Sequence, residues 1–205
     1  VETLAREGVV GIDNVLPSAD GSNSCQQLRD YILDYRTLSR EAISQKQISR
    51  NERFAKCLLS DHRDDLLLPL TTVVQQALQH ILEDVGDVFE HSLGPDATLF
   101  ELAALISDPG SARQNVHPDH ACSDKDNNKP LVLTCFVALQ TIDADMGPTV
   151  WIPQTHTTDM HARFQRRRVE DVFSLESPKD VLIRSMPHSV GHMPAGACAL
   201  FDSRL

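Results

Sequence analysis

Thr98-Leu99-Phe100-Glu101-Leu102-Ala103-Ala104-Leu105-Ile106-Ser107, closed by Asp108-Pro109-Gly110, is where the chain changes its period. Upstream, Leu70 to Leu93 carries apolar residues at Val73, Val74, Ala77, Leu78, Ile81, Leu82, Val85, Val88 and Phe89. That is a stripe at 3.6-residue spacing, so it predicts a long helix with the stripe in the core, ended by Gly94-Pro95. From Thr98 onward short apolar, β-branched runs alternate with turn residues. Strands are expected at Thr98 to Ser107, Leu131 to Leu139, Thr149 to Ile152, Val181 to Ile183 and Cys198 to Phe201. Several short strands between turns point to a sandwich or barrel, giving a mainly β protein with helical additions.

The front end is read more coarsely. Gly8-Val9-Val10-Gly11-Ile12 predicts a short strand, and Pro17 to Asn23 a loop. Ser24 is a candidate cap for a helix bearing Leu28, Tyr31, Ile32 and Tyr35. Ser39 to Arg53 is polar and reads as loop or frayed helix. The expectation is one domain over 1–205, with a helical front layer to about 95 and a β core from about 96.

Composition narrows the function classes. The 205 residues carry 29 acidic and 19 basic side chains, a formal net charge of -10, which argues against a broad nucleic-acid surface. No apolar run approaches the roughly 20 residues of a membrane span, and no leader follows Val1, so the cytoplasm is the default compartment. Cys25, Cys57, Cys122, Cys135 and Cys198 are odd in number and widely spaced, a pattern of free thiols rather than a disulfide framework. GxSxG, P-loop, GxGxxG and HExxH motifs are absent.

The candidate chemistry lies at His117-Pro118-Asp119. Imidazole and carboxylate two residues apart project to one side of an extended chain and can hold one metal. Two His and one carboxylate on one face of Fe(II) leave the other face open. With 9 His in the chain, one HxD triplet is expected by chance, and His62-Arg63-Asp64 is read as a surface or capping feature with no metal. Context separates the two triplets. His117 follows the Asp108-Pro109-Gly110 turn and Gln114, and precedes Gly147-Pro148-Thr149, Ile152-Pro153, His156 and Phe201-Asp202-Ser203-Arg204-Leu205.

That order of motifs resembles the phytanoyl-CoA dioxygenase-like family of Fe(II)- and 2-oxoglutarate-dependent oxygenases. The resemblance runs from about Leu99 to Leu205, and more loosely includes Glu7 to Val10 and Asn51 to Phe54. It implies a double-stranded β-helix, the cupin-like jelly roll, flanked by α-helices. It implies iron ligation by His117 and Asp119, contact between Gln114 and 2-oxoglutarate, Phe136 beside the cosubstrate, and Thr149 near the pocket. It also implies hydroxylation of a small-molecule, lipid or acyl substrate, since an Asp at 119 leaves no place for a halide. The family's second His and its carboxylate anchor fall beyond Leu205, so the expectation is that the protein continues. The alternatives are a non-catalytic jelly-roll binding module lacking a third ligand, and a metal enzyme of cupin type that works without 2-oxoglutarate.

Remaining candidates have plainer readings. His156 is structural or pocket-lining, His188 and His192 are loop residues, and His120 points away from the metal side. Arg166-Arg167-Arg168 is a solvated face or a rim for an anionic substrate. Trp151 belongs to the core. The loops Ala121 to Lys129 and Thr157 to Lys179 would set specificity.

Overall fold

The computed structural model describes residues 1–18, 23–56, 61–122, 130–165 and 183–205. They form two compact units: Val1–Asp13 with Asp87–Ala97 and His117–Leu205, and Asn14–Gly86 with Thr98–Val116. Among the described residues, no helix is long and apolar enough to cross a membrane.

The first unit is built on one fully buried strand. Helix α1 (Glu2–Glu7) ends at Gly8 and runs into β1 (Val9–Ile12). Strand β4 (Leu133–Val137) and the last strand, β7 (Cys198–Asp202), follow the expected apolar runs. Between them lie β5 (Val150–Trp151), α4 (Thr158–Gln165) and β6 (Ser189–Val190). The sheet order is β1-β7-β4 with both pairings antiparallel, so β7 is central, and all five of its residues are buried. Alternation puts Ala199 and Phe201 on one face, where they meet Trp151, Phe136, Val9, Met193 and Leu205. Phe136 and Phe201 meet edge-on with centroids 5.1 Å apart, an arrangement worth about 0.5–1.5 kcal/mol beyond burial. Strands β5 and β6 make a separate antiparallel pair.

The second unit holds α2 (Ser24–Ser44), β2 (Arg63–Leu67) and β3 (Ala103–Ser107), with most of α3 (Thr72–Leu93). Strands β2 and β3 pair antiparallel. Several expectations need correction here. Asn23, not Ser24, caps α2, its side chain accepting from Gln26 N at 3.2 Å. The helix continues through the polar stretch to Ser44, because Arg36 and Ser39 are buried. Its guanidinium gives the reason: Arg36 Nε donates to Asp64 Oδ2 at 2.8 Å and Nη1 to Asp108 Oδ1 at 3.0 Å. Beyond it, Arg50–Glu52 is a 3₁₀ turn closed by a Ser49/Glu52 capping box. Only part of the α3 stripe is core: Val74, Ala77 and Val85 are buried, whereas Leu82 is 53% exposed. The predicted strand from Thr98 is regular only from Ala103.

Strand β2 was not expected at all, and it overturns the reading of His62-Arg63-Asp64 as a surface feature. Asp64 is buried and accepts from Arg36, Arg40 and Arg50. Burial alone would push its carboxyl up, but the hydrogen bonds from the three guanidiniums outweigh it and hold it below the usual aspartate range. Of the other expectations, residues 19–22 of the Pro17 loop, Val181 and Leu182 of the predicted strand, Cys57, Arg166 to Arg168, and most of the two specificity loops (123–129 and 166–179) lie outside the described residues.

Removing one partner of a buried ion pair strands the rest, so Asp64→Asn should cost about 3–5 kcal/mol in denaturant unfolding. Since the folded carboxyl titrates below the unfolded one, its contribution is complete above the ordinary value of about 4. It should fade as pH falls through the lower folded value. Asp64→Asn should flatten that acid limb in unfolding curves taken across the range.

Candidate functional site

The HxD segment lies between β3 and β4 without regular secondary structure. His117 is therefore neither on a strand nor in a helix. Even so, the two side chains meet: His117 Nε2 stands 3.7 Å from Asp119 Oδ1. Donors bound to one first-row metal with bonds of about 2.0–2.2 Å sit roughly 3 Å apart at a right angle, so a small side-chain rotation would suffice. Both remain open, with 37% and 46% of their side chains exposed. Partial burial pushes the Asp119 carboxyl up, and the attraction of His117 opposes this less strongly. The donor set fits two places of a mixed imidazole and carboxylate site. Among the described residues, no group of three His, Cys, Asp or Glu comes together.

Gln114 is half-buried and belongs to the second unit, whereas His117 and Asp119 belong to the first. Phe136 lies on β4 in the aromatic cluster. Thr149 is exposed, and its carbonyl accepts from Gly191 N at 2.8 Å. His120 is exposed and uses its backbone N–H, which donates to Ser203 O at 2.7 Å. His188 and His192 are exposed. Trp151 is buried in the core.

Two imidazoles behind the HxD segment are buried instead. His156 points Nε2 at Ala5 O, 3.2 Å away, and its Nδ1 has no hydrogen-bond partner. That ring is pressed against Gly8, the left-handed residue (φ 79°) at which α1 ends. A Cβ at Gly8 would fall 2.4 Å from His156 Nδ1 and 2.6 Å from Leu205 Cδ1. His161, which the sequence does not single out, bridges Cys122 N (3.3 Å to Nδ1) and Arg204 O (2.6 Å to Nε2). No spacing rule marks it, because both partners are backbone atoms far along the chain.

The described cysteines, Cys25, Cys122, Cys135 and Cys198, are free thiols. A hydrogen bond with Cys198 and burial push the Cys135 thiol up. Gly8→Ala meets both a left-handed φ that L side chains rarely adopt and a filled space, so it should destabilise the protein by about 3 kcal/mol in chemical denaturation. His156→Ala in the same background should restore part of the loss by opening that space.

Comparison with known proteins adds the family. No curated protein matches the sequence. Two solved structures cover 99% of this chain and 72% of their own. One is the non-heme alpha ketoglutarate dependent epimerase SnoN from nogalamycin biosynthesis, 15% identical with a TM-score of 0.47. The other is SnoN in complex with Fe3+, alpha ketoglutarate and nogalamycin RO, 14% identical with a TM-score of 0.49. The model of the phytanoyl-CoA dioxygenase family (PhyH), whose cofactors are Fe(II) and 2-oxoglutarate, matches residues 4–205. With a match across nearly the whole sequence, the chain belongs to the phytanoyl-CoA dioxygenase family.

Proposed function

We propose that this protein is an Fe(II)- and 2-oxoglutarate-dependent hydroxylase of a small-molecule, lipid or acyl substrate. The observation that supports it is the 3.7 Å approach of His117 Nε2 to Asp119 Oδ1 in a partly open site. The proposed frame is a single oxygenase domain over 1–205 with a double-stranded β-helix at its centre; the antiparallel pairing of every described ladder supports this.

In this reading His117 and Asp119 would hold the iron through an imidazole nitrogen and a carboxylate oxygen. Iron held there would supply, with 2-oxoglutarate and dioxygen, the oxidising chemistry that a hydroxylation needs. The protein's share is placement. Gln114 carries an amide that can donate to a carboxylate oxygen of the cosubstrate. Phe136 is assigned to the apolar wall beside it, and Thr149 to the pocket turn. Asp119 occupies the place a halide would need, which favours hydroxylation over halogenation.

A second reading, a non-catalytic jelly-roll binding module that lacks the third metal ligand, draws on the meeting of only two such donors among the described residues. Iron binding decides between them. In the full-length protein, His117→Ala or Asp119→Ala should abolish Fe(II)-dependent succinate release and weaken Co(II) binding at least tenfold. Wild-type protein that binds neither metal nor 2-oxoglutarate would establish the module. Gln114→Ala should raise the apparent 2-oxoglutarate constant roughly ten- to a hundredfold, as loss of a hydrogen bond to a charged group implies. Metal affinity should hold, and an unchanged cosubstrate constant would remove Gln114 from the site.

A further inference from the structure

We infer that His161 is a positioning residue that pins the HxD segment to the turn after β7 and so sets the metal affinity of His117 and Asp119. The inference rests on the assignment of those two residues as ligands. The segment from His117 to Cys122 has no ladder or helix of its own. Its place must come from individual hydrogen bonds. Two of these run to consecutive residues of one turn. His120 N–H donates directly to Ser203 O at 2.7 Å. Cys122 N–H donates to His161 Nδ1 at 3.3 Å, and His161 Nε2 meets Arg204 O at 2.6 Å.

The partners dictate the tautomer. A backbone amide can only donate and a carbonyl can only accept. His161 therefore carries its hydrogen on Nε2 and leaves Nδ1 bare. The ring is 8% exposed, so water cannot readily replace either bond. The far end is equally fixed, since Arg204 is 2% exposed and bonded to Asp202. Cys122 gains a second tie through its Sγ, which donates to His156 O at 3.5 Å. Cys122 is three residues past Asp119, close enough that loosening it lets Asp119 swing. Groups hydrogen-bonded directly to a metal ligand commonly carry a 10- to 100-fold share of metal affinity; His161 acts one step further out, through Cys122, so an effect at the lower end is expected.

Two near-isosteric variants divide the bridge. In Asn the amide oxygen falls near Nδ1, so His161→Asn keeps the acceptor for Cys122. In Gln the amide nitrogen falls near Nε2, so His161→Gln keeps only the bond to Arg204. In the full-length protein, His161→Gln should weaken Co(II) binding about tenfold and speed hydrogen exchange in the peptide holding 117–122. His161→Asn, which keeps Cys122 tied to α4 but loses the turn, should weaken Co(II) binding to a level between wild type and His161→Gln. A merely structural His161 would lower thermal stability in both variants and leave Co(II) affinity of the folded protein equal to wild type; that result overturns the inference. So does faster exchange without an affinity change. If His117→Ala leaves Co(II) binding intact, the ligand assignment fails and the inference with it. Loss of binding in His117→Ala but not in His161→Gln refutes the pin alone.

Discussion

The buried Arg204–Asp202 pair is the interaction on which the first unit depends. Arg204 Nε and Nη2 donate to the two oxygens of Asp202 at 2.9 and 2.7 Å, and Arg204 N donates to Oδ1 at 3.0 Å. The side chains are 2% and 4% exposed. Two charges so far from water are tolerated only with this fork geometry, in which each bond is charge-assisted. The pair closes the turn that follows β7. Gly8 O accepts from Asp202 N at 2.8 Å, Ser203 Oγ meets Thr134 Oγ1 at 2.8 Å, and the HxD segment hangs on Ser203 O. A hydrophobic replacement of similar volume could match the pair in stability, but it would release the turn geometry that these oxygens define.

Much of the fold was legible because it follows period. Strands β1, β4 and β7 and helix α3 sit where apolar residues recur at the spacing of a strand or a helix. What escaped was built from charge. Strand β2 begins Arg63-Asp64-Asp65, which reads as solvent-facing, yet Arg63 and Asp64 are buried. Helix α2 runs a further turn and more past its apolar residues because Arg36 finds Asp64 and Asp108. A buried ion pair joins residues tens of positions apart, and neither member reveals the other by spacing. The α3 stripe errs the other way: a helical period shows which face is apolar but not how much of it the neighbours cover.

The candidate site divides along the same line. His117 and Asp119 could be paired from their separation together with the motifs around them, and their side chains do approach. Their support could not. The imidazoles of His156 and His161 bind main-chain oxygens of Ala5 and Arg204, at the two ends of the chain. Backbone atoms are the same at every position, so a sequence carries no mark of which one will be used.

The two HxD triplets show why the motif by itself decides nothing. Asp64 is 2% exposed and three guanidiniums consume its lone pairs, holding its carboxyl low. His62 sits in the left-handed region at φ 58°, and its carbonyl is occupied by Asp108 N and Ser111 Oγ. Every strong donor near that carboxylate is an arginine that no metal would displace cheaply. Asp119 has the opposite surroundings. Burial raises its carboxyl, and the attraction of the neighbouring His117 opposes this. A carboxylate so placed gains more from a divalent cation than one already neutralised by arginines. Identical residue types at identical spacing thus yield a folding clamp in one unit and a partly exposed imidazole–carboxylate pair in the other, and the difference is the charge that tertiary structure brings alongside.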